Sequence, residues 1–312
     1  MLVSAENKSS FRRRDNVLTG KHILLIGGDA RHLEIIRTLS TLDAKISLAG
    51  FEQLDDGFIG ASKYAMDEID WTTVDAIILP VSGMSADGWI DTVFSNETLS
   101  LSLEQLEKTP KHCTIYTGIS NDFLDQLQTM AKRPLVKLME RDDVAIYNSI
   151  PTAEGAIMMA IQHTDITIHN ANVAVLGLGR IGMTIARSFA ALGAKVKVGA
   201  HDSALLARIS EMGLKPFHTK HIQTELKDID ICINTIPARM ITARVLTEMP
   251  LHSLIIDLAS KPGGTDFRYA EKRGMKAMLV PGMPGIVAPK TAGKILAAIL
   301  ADLLKSDELE DE

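Results

Sequence analysis

Gly177-Leu178-Gly179-Arg180-Ile181-Gly182 spells GxGxxG. The hexapeptide follows an apolar run, NVAVL (172–176), and opens an amphipathic stretch, which is the context in which the pattern signals dinucleotide binding. Gly177 permits the tight turn, Gly179 lets the backbone approach a pyrophosphate, and Gly182 allows close helix–strand packing. The N–H groups of the helix start, with Arg180 and Ile181 at its first positions, favour an anion there.

The choice between NAD and NADP is made about 20 residues on, where NAD enzymes place a carboxylate for the ribose 2′-hydroxyl. The second strand reads KVKVGA (195–200). If it ends at Gly199 or Ala200 the acidic position is empty, and His201, Ser203 and Arg208 can receive a 2′-phosphate. If it runs one turn further, Asp202 becomes the ribose acceptor. The expectation is NADP, with NAD left open. Two later strand ends, Asn234-Thr235-Ile236-Pro237 and Asp257-Leu258-Ala259-Ser260, are expected to border the nicotinamide half, because open α/β sheets bind ligands at the carboxyl ends of their strands.

Nearer the amino terminus, HILLI (22–26) runs into Gly27-Gly28-Asp29-Ala30-Arg31. This is not GxGxxG, so no second dinucleotide is assigned. A polar turn with Asp29 and Arg31 at a helix start suits a small anion, since the arginine fork meets a carboxylate with two hydrogen bonds. Val81-Ser82-Gly83-Met84 is expected to end another strand on the same edge, and Gly118-Ile119-Ser120 a third. The segment 280–293 is rich in proline and glycine and is read as a stiffened loop leading to Lys290 and Thr291 at the start of the last helix, a second carboxylate site.

Short apolar runs alternate with helical patterns from Gly20 onward, the signature of parallel strands joined by crossover helices. The fold class expected is α/β: two doubly wound Rossmann-like domains with a cleft between them. Residues 1–19 form a tail with a basic cluster, 20–147 the first domain and 148–170 a linker helix with Pro151 in its first turn. Residues 171–290 form the dinucleotide-binding domain. The helix 291–305 is expected to return to the first domain, and 306–312 is an acidic tail.

The 312-residue chain carries 33 Lys plus Arg and 39 Asp plus Glu, a formal charge of −6, with 46% hydrophobic residues. That balance argues against nucleic acid as a partner. No apolar run approaches the roughly 20 residues that span a bilayer. Cys113 and Cys232 make neither a CxxC pair nor a disulfide framework, which fits a reducing cytoplasm, and no metal site is read.

The segments GGDARHLE (27–34), PTAEGAI (151–157), GLGRIG (177–182), NTIP (234–237), DLASKPGGTDF (257–267) and PGMPGIVAPKTAG (281–293) together resemble the A subunit of bacterial dipicolinate synthase over about residues 20–305. DLASKPGGTDF and PGMPGIVAPKTAG are far more specific than GxGxxG. The resemblance implies a dehydrogenase of the sporulating mother cell, distantly similar to alanine and 2-hydroxyacid dehydrogenases. It implies oxidation of a dihydrodipicolinate-type intermediate of the diaminopimelate–lysine pathway to dipicolinate. It also implies an arginine at the position of His201, together with a second, flavoprotein-like subunit. On that basis the dicarboxylate substrate is expected to be held by Arg31 and Lys290, with Thr291 and Ser82 as hydrogen-bond donors. Asp29 and Asp257 are the candidate proton acceptors, on the expectation that a cleft raises a carboxyl pKa. Two rivals are another amino- or 2-hydroxyacid dehydrogenase and a non-catalytic, nucleotide-binding component of a larger enzyme. A homo-oligomer is compatible with all three.

Overall fold

In a computed structural model, residues 18–55 and 60–306 are described. The expected terminal tails fall almost wholly outside them. The described chain divides into two units. The first reaches Lys137 and resumes at Ala297; the second is Leu138–Leu296.

In the first unit β1 (His22–Ile26), α1 (Ala30–Thr41), β2 (Lys45–Ala49), β3 (Ala61–Lys63) and β4 (Ala76–Ile78) are followed by a two-stranded ribbon, β5 (Trp89–Ile90) with β6 (Leu99–Ser100). Then come α2 (Leu103–Lys108), β7 (Thr114–Thr117), α3 (Asp122–Ala131) and β8 (Leu135–Lys137). In the second unit α4 (Asp142–His163) precedes β9 (Asn172–Leu176), α5 (Arg180–Ala191), β10 (Lys195–Ala200), α6 (Ser203–Glu211) and β11 (Lys215–His218). It continues with α7 (Ile222–Glu225), β12 (Ile231–Asn234), α8 (Ala243–Glu248), β13 (Leu254–Asp257), α9 (Phe267–Lys272), β14 (Ala277–Leu279) and α10 (Met283–Val287). The last helix, α11 (Pro289–Ser306), begins in the second unit and ends in the first.

Each unit holds one six-stranded parallel sheet, in the orders β3-β2-β1-β4-β7-β8 and β11-β10-β9-β12-β13-β14. The chain reverses its winding between β1 and β4 and between β9 and β12, so each unit has a switch point at the carboxyl ends of its central strands. The central strands are buried along nearly their whole length because helices cover both faces. Alternate residues serve opposite sides. Val173 and Val175 pack with Ile185 and Phe189 of α5, while Ala174 and Leu176 pack with Leu226, Val245 and Leu246. Burying each such large side chain stabilises by about 1.5–3 kcal/mol.

The amino ends of the two sheets are built alike. Asp75 accepts the His22 N–H at 2.8 Å and Asp230 accepts the Asn172 N–H at 2.7 Å. Each carboxylate also meets a histidine, His112 at 2.7 Å and His252 at 3.2 Å.

Three local expectations are corrected. The helix inside 148–170 starts at Asp142, within the second unit, so Pro151 sits in its interior rather than in its first turn. There the Ser149 and Thr152 hydroxyls donate to the carbonyls of Ile146 and Asn148, next to the donor that proline lacks. The apolar run DAIILPV (75–81) reads as one further strand, but only Ala76–Ile78 forms it, since Pro80 cannot donate to a ladder. Part of 280–293 is helical rather than loop: Met283–Val287 forms α10, whose early proline needs no partner in a first turn.

Candidate dinucleotide and substrate sites

The GxGxxG turn lies at the carboxyl end of β9. Gly177 has a φ of +95°, and its N–H donates to the Gly199 carbonyl at 2.9 Å. A Cβ on Gly177 would come within 2.7 Å of Thr235 Oγ1, and one on Gly182 within 2.1 Å of the Gly177 carbonyl oxygen. These two glycines therefore let α5 and the β12 loop close on the turn. Gly179, the N-cap of α5, is different: a Cβ there would meet nothing within 4 Å, and no side chain caps the helix. The first-turn N–H groups of a 12-residue helix thus face open space with the positive end of the helix dipole behind them. This cradle fits a pyrophosphate. Arg180 pairs with Asp142 at 2.9 Å, and Ile181 packs against the α5-side core.

β10 ends at Ala200, so no carboxylate stands at the strand end. His201, Asp202 and Ser203 are exposed. Asp202 caps α6, its Oδ1 accepting the N–H groups of Ala204 at 2.8 Å and Leu205 at 3.1 Å. Arg208 pairs with Glu211 at 2.8 Å.

At the ends of β12 and β13 the structure reassigns two residues. Asp257 is fully buried, and its carboxylate accepts from Asn234 Nδ2 at 2.9 Å, Ala259 N at 3.1 Å, Gly264 N at 2.8 Å and Thr265 Oγ1 at 2.6 Å. A carboxylate closed to solvent with four donors is an anchor and is unsuited to take a proton from a ligand. Asn234, also fully buried, bonds the Ile236 carbonyl at 3.0 Å as well. Thr235 Oγ1 donates to the Leu176 carbonyl at 2.8 Å, which ties the NTIP turn to the glycine turn. Ala259 is buried with the anchor, whereas Pro237 and Ser260 are exposed at the rim.

The first unit closes the corresponding turn with its own atoms. Gly27 donates to the Ala49 carbonyl at 2.8 Å, as Gly177 does to Gly199. The N-cap of α1, however, is Asp29, which accepts the Arg31 N–H at 2.9 Å. His32 Nδ1 accepts the Asp29 N–H at 3.1 Å, completing a capping box. A Cβ on Gly27 would strike the Asp91 carbonyl oxygen at 2.6 Å, and one on Gly28 the His32 ring at 2.5 Å. Arg31 Nε and Nη2 both donate to the Asp29 carboxylate, Nη2 at 2.5 Å. Partial burial works against the charge on Asp29, but the hydrogen bonds and positive charge of the Arg31 guanidinium outweigh it and hold the carboxyl well below its ordinary range. A carboxylate held so firmly ionised is a poor proton acceptor, so the expected raised pKa is reversed. Ser82, on the β4 side of the switch point, is exposed, as are Lys290 and Thr291 in the first turn of α11.

Sequence reasoning missed His32, Asp91 and the Asn234–Asp257 anchor. The Asp29-to-His32 spacing is that of a capping box and signals the first. Nothing in the sequence pairs Asn234 with Asp257. Among the described residues no group of three or more His, Cys, Asp or Glu is arranged to hold a metal, and no helix is long and apolar enough to cross a membrane.

Similarity to known proteins follows the same division. Residues 22–139 match the N-terminal domain family of the dipicolinate synthase A subunit, and residues 146–310 the alanine dehydrogenase/PNT C-terminal domain family. The chain is 62% identical to the A subunit of dipicolinate synthase of Bacillus subtilis (strain 168), over 95% of this chain and 99% of that protein. The crystal structure of the dipicolinate synthase A subunit from Bacillus halodurans superimposes with a TM-score of 0.91 at 70% identity, covering 92% of this chain and 99% of that one. A transhydrogenase from Sinorhizobium meliloti shares the fold alone, with a TM-score of 0.64 at 15% identity over 91% of this chain and 94% of that one. A second unit of the alanine dehydrogenase type, joined to a first unit of the synthase type, makes the chain a member of the family of dipicolinate synthase A subunits.

Proposed function

We propose that the chain oxidises a dihydrodipicolinate-type ring to pyridine-2,6-dicarboxylate with NADP, in the cytoplasm of the sporulating mother cell and beside a flavoprotein-like second subunit. The observation that carries this reading is the uncapped α5 start at Gly179, a cradle for a dinucleotide pyrophosphate in a chain 62% identical to a dipicolinate synthase subunit. NADP is favoured because β10 ends at Ala200 and the Oδ1 of Asp202 is bonded to the α6 backbone. When bound, the nicotinamide supplies the hydride acceptor, and loss of one hydride and one proton makes the ring aromatic.

The residues of the chain bind and orient. Gly177, Gly179 and Gly182 shape the cradle, with Arg180 and Ile181 in the first turn of α5. Asn234, Thr235, Pro237, Asp257, Ala259 and Ser260 form the wall towards the nicotinamide half, Asp257 as its anchor. Asp29 fixes the Arg31 fork by its Nε side, which leaves Nη1 as the edge for a substrate carboxylate. Ser82, Lys290 and Thr291 are the further donors. Orienting the ring in this way replaces a chance encounter by a bound geometry.

A second reading is favoured by the commitment of both nominated bases to other partners: this chain binds the dinucleotide while the second subunit completes the chemistry. One experiment separates them. Dihydrodipicolinate is generated in situ and reduced cofactor and dipicolinate are followed with NADP or NAD, with and without the second subunit. Product with this chain alone establishes the first reading, and product only with both subunits the second. No product in any arm refutes both.

A further inference from the structure

Ala200 leaves the carboxyl end of β10 without a carboxylate, and the adjacent strand supplies a different group at the same level. In the parallel ladder Ala200 is registered against His218, the last residue of β11. Residues directly opposite in a parallel pair share a face of the sheet. The pair one step back confirms the alternation: a Cβ on Gly199 would come within 2.6 Å of the Phe217 ring, and Phe217 belongs to the core on the other side of the sheet. His218 therefore stands on the same face as Ala200, the position where an NAD enzyme carries its acid.

The His218 ring is fixed in one tautomer. Its Nδ1 accepts the Lys220 backbone N–H at 3.1 Å, so the neutral imidazole carries its proton on Nε2 and donates only from there. Nε2 has no hydrogen-bond partner among the described residues. The His221 ring stands edge-on at 6.4 Å, and His218 itself is half-buried. A lone donor suits an acceptor such as a phosphate oxygen, whereas a ribose 2′-hydroxyl is best recognised by a carboxylate.

We infer that His218 is a specificity-determining residue that donates Nε2–H to the 2′-phosphate of NADP. The inference rests on the proposed dinucleotide site of the second unit. It assigns selectivity to β11 as well as to the β10 loop that carries His201.

Calorimetric titration of the full chain with NADP+ and with NAD+ tests it, using the wild type, His218→Ala and His218→Gln. His218→Ala is expected to bind NADP+ about ten- to a hundredfold more weakly, the range for a hydrogen bond to a charged group. NAD+ affinity is expected to stay unchanged. His218→Gln is expected to recover part of the loss, since the amide nitrogen lies near the place of Nε2. Unchanged NADP+ affinity in His218→Ala overturns the inference and leaves the cofactor reading standing. An equal loss for both dinucleotides also overturns it, because the ring would then be serving the loop or the shared adenosine. A wild type that binds neither dinucleotide overturns the cofactor reading, and this inference with it.

Discussion

Asp75 and Asp230 hold the same place in the two units. Each accepts the N–H of the first residue of the central strand and each pairs with a histidine, His112 or His252. At the opposite ends of the same strands the units part company. The first helix of one begins at Asp29, a carboxylate that caps it and binds Arg31; the helix after the first strand of the other begins at Gly179, with nothing over it. Both turns donate to a carbonyl near the end of the second strand, Ala49 in one unit and Gly199 in the other, so the backbone plan is shared. The difference teaches that a helix start is an anion site in either case. In one unit the anion is built in, and in the other it is left for a ligand.

The largest effect is expected from removing the anchor beside the open turn. Asp257→Ala orphans donors from Asn234, Ala259, Gly264 and Thr265, and should cost about 3 kcal/mol or more, since a single buried unsatisfied group costs about 1–3 kcal/mol. Urea unfolding measures it, and a loss below about 1 kcal/mol would show that the anchor is dispensable.

Gly179→Asp sharpens the comparison directly by giving α5 the cap that α1 has. The φ of −83° at Gly179 admits a side chain, and aspartate is a favoured N-cap, so the melting temperature should hold or rise slightly. Dinucleotide affinity should fall by more than about a hundredfold, as for the loss of a strong charge-assisted contact together with new repulsion. Calorimetry with NADP+ reads the outcome, and retained affinity would break the equivalence of the two turns.

The converse change, Asp29→Ala, should destabilise by about 1 kcal/mol, an ordinary N-cap loss. Its sign with pH is fixed: the folded carboxyl titrates below its ordinary range, so its stabilisation is present above that range and fades as pH falls through it. The difference in urea midpoint between wild type and Asp29→Ala should therefore shrink on acidification. A gap that widens in acid would contradict the cap.

The smallest effects belong to the ends that are alike. His112→Ala and His252→Ala remove exposed histidine–aspartate contacts and should each change stability by under about 1 kcal/mol, by similar amounts. Unequal losses in the two melts would show that the resemblance of the amino ends is superficial.

The strands HILLI, NVAVL and KVKVGA were legible because a parallel sheet covered on both faces writes itself as continuous apolar runs. The edge strands Ala61–Lys63 and Lys215–His218 were not, being short or polar on their open side. The start of α4 was hidden because Arg141 offers no side-chain cap, so Pro151 looked like the beginning. Candidate site residues were easy to nominate, since strand ends attract ligands in such folds. Their roles were harder to read. Asp257 and Asp29 looked like bases until their donors were located, 2 to 23 residues away along the chain.

The sequence alone determined the two doubly wound units and the dinucleotide turn, because periodicity and glycine spacing are local properties of the chain. Tertiary structure decided which charged groups are committed and which are available. It joined Asn234 to Asp257, folded Asp91 over Gly27 and set His218 beside Ala200. Those outcomes depend on strand order and register, which bring distant residues within hydrogen-bond reach and which no spacing along the chain encodes.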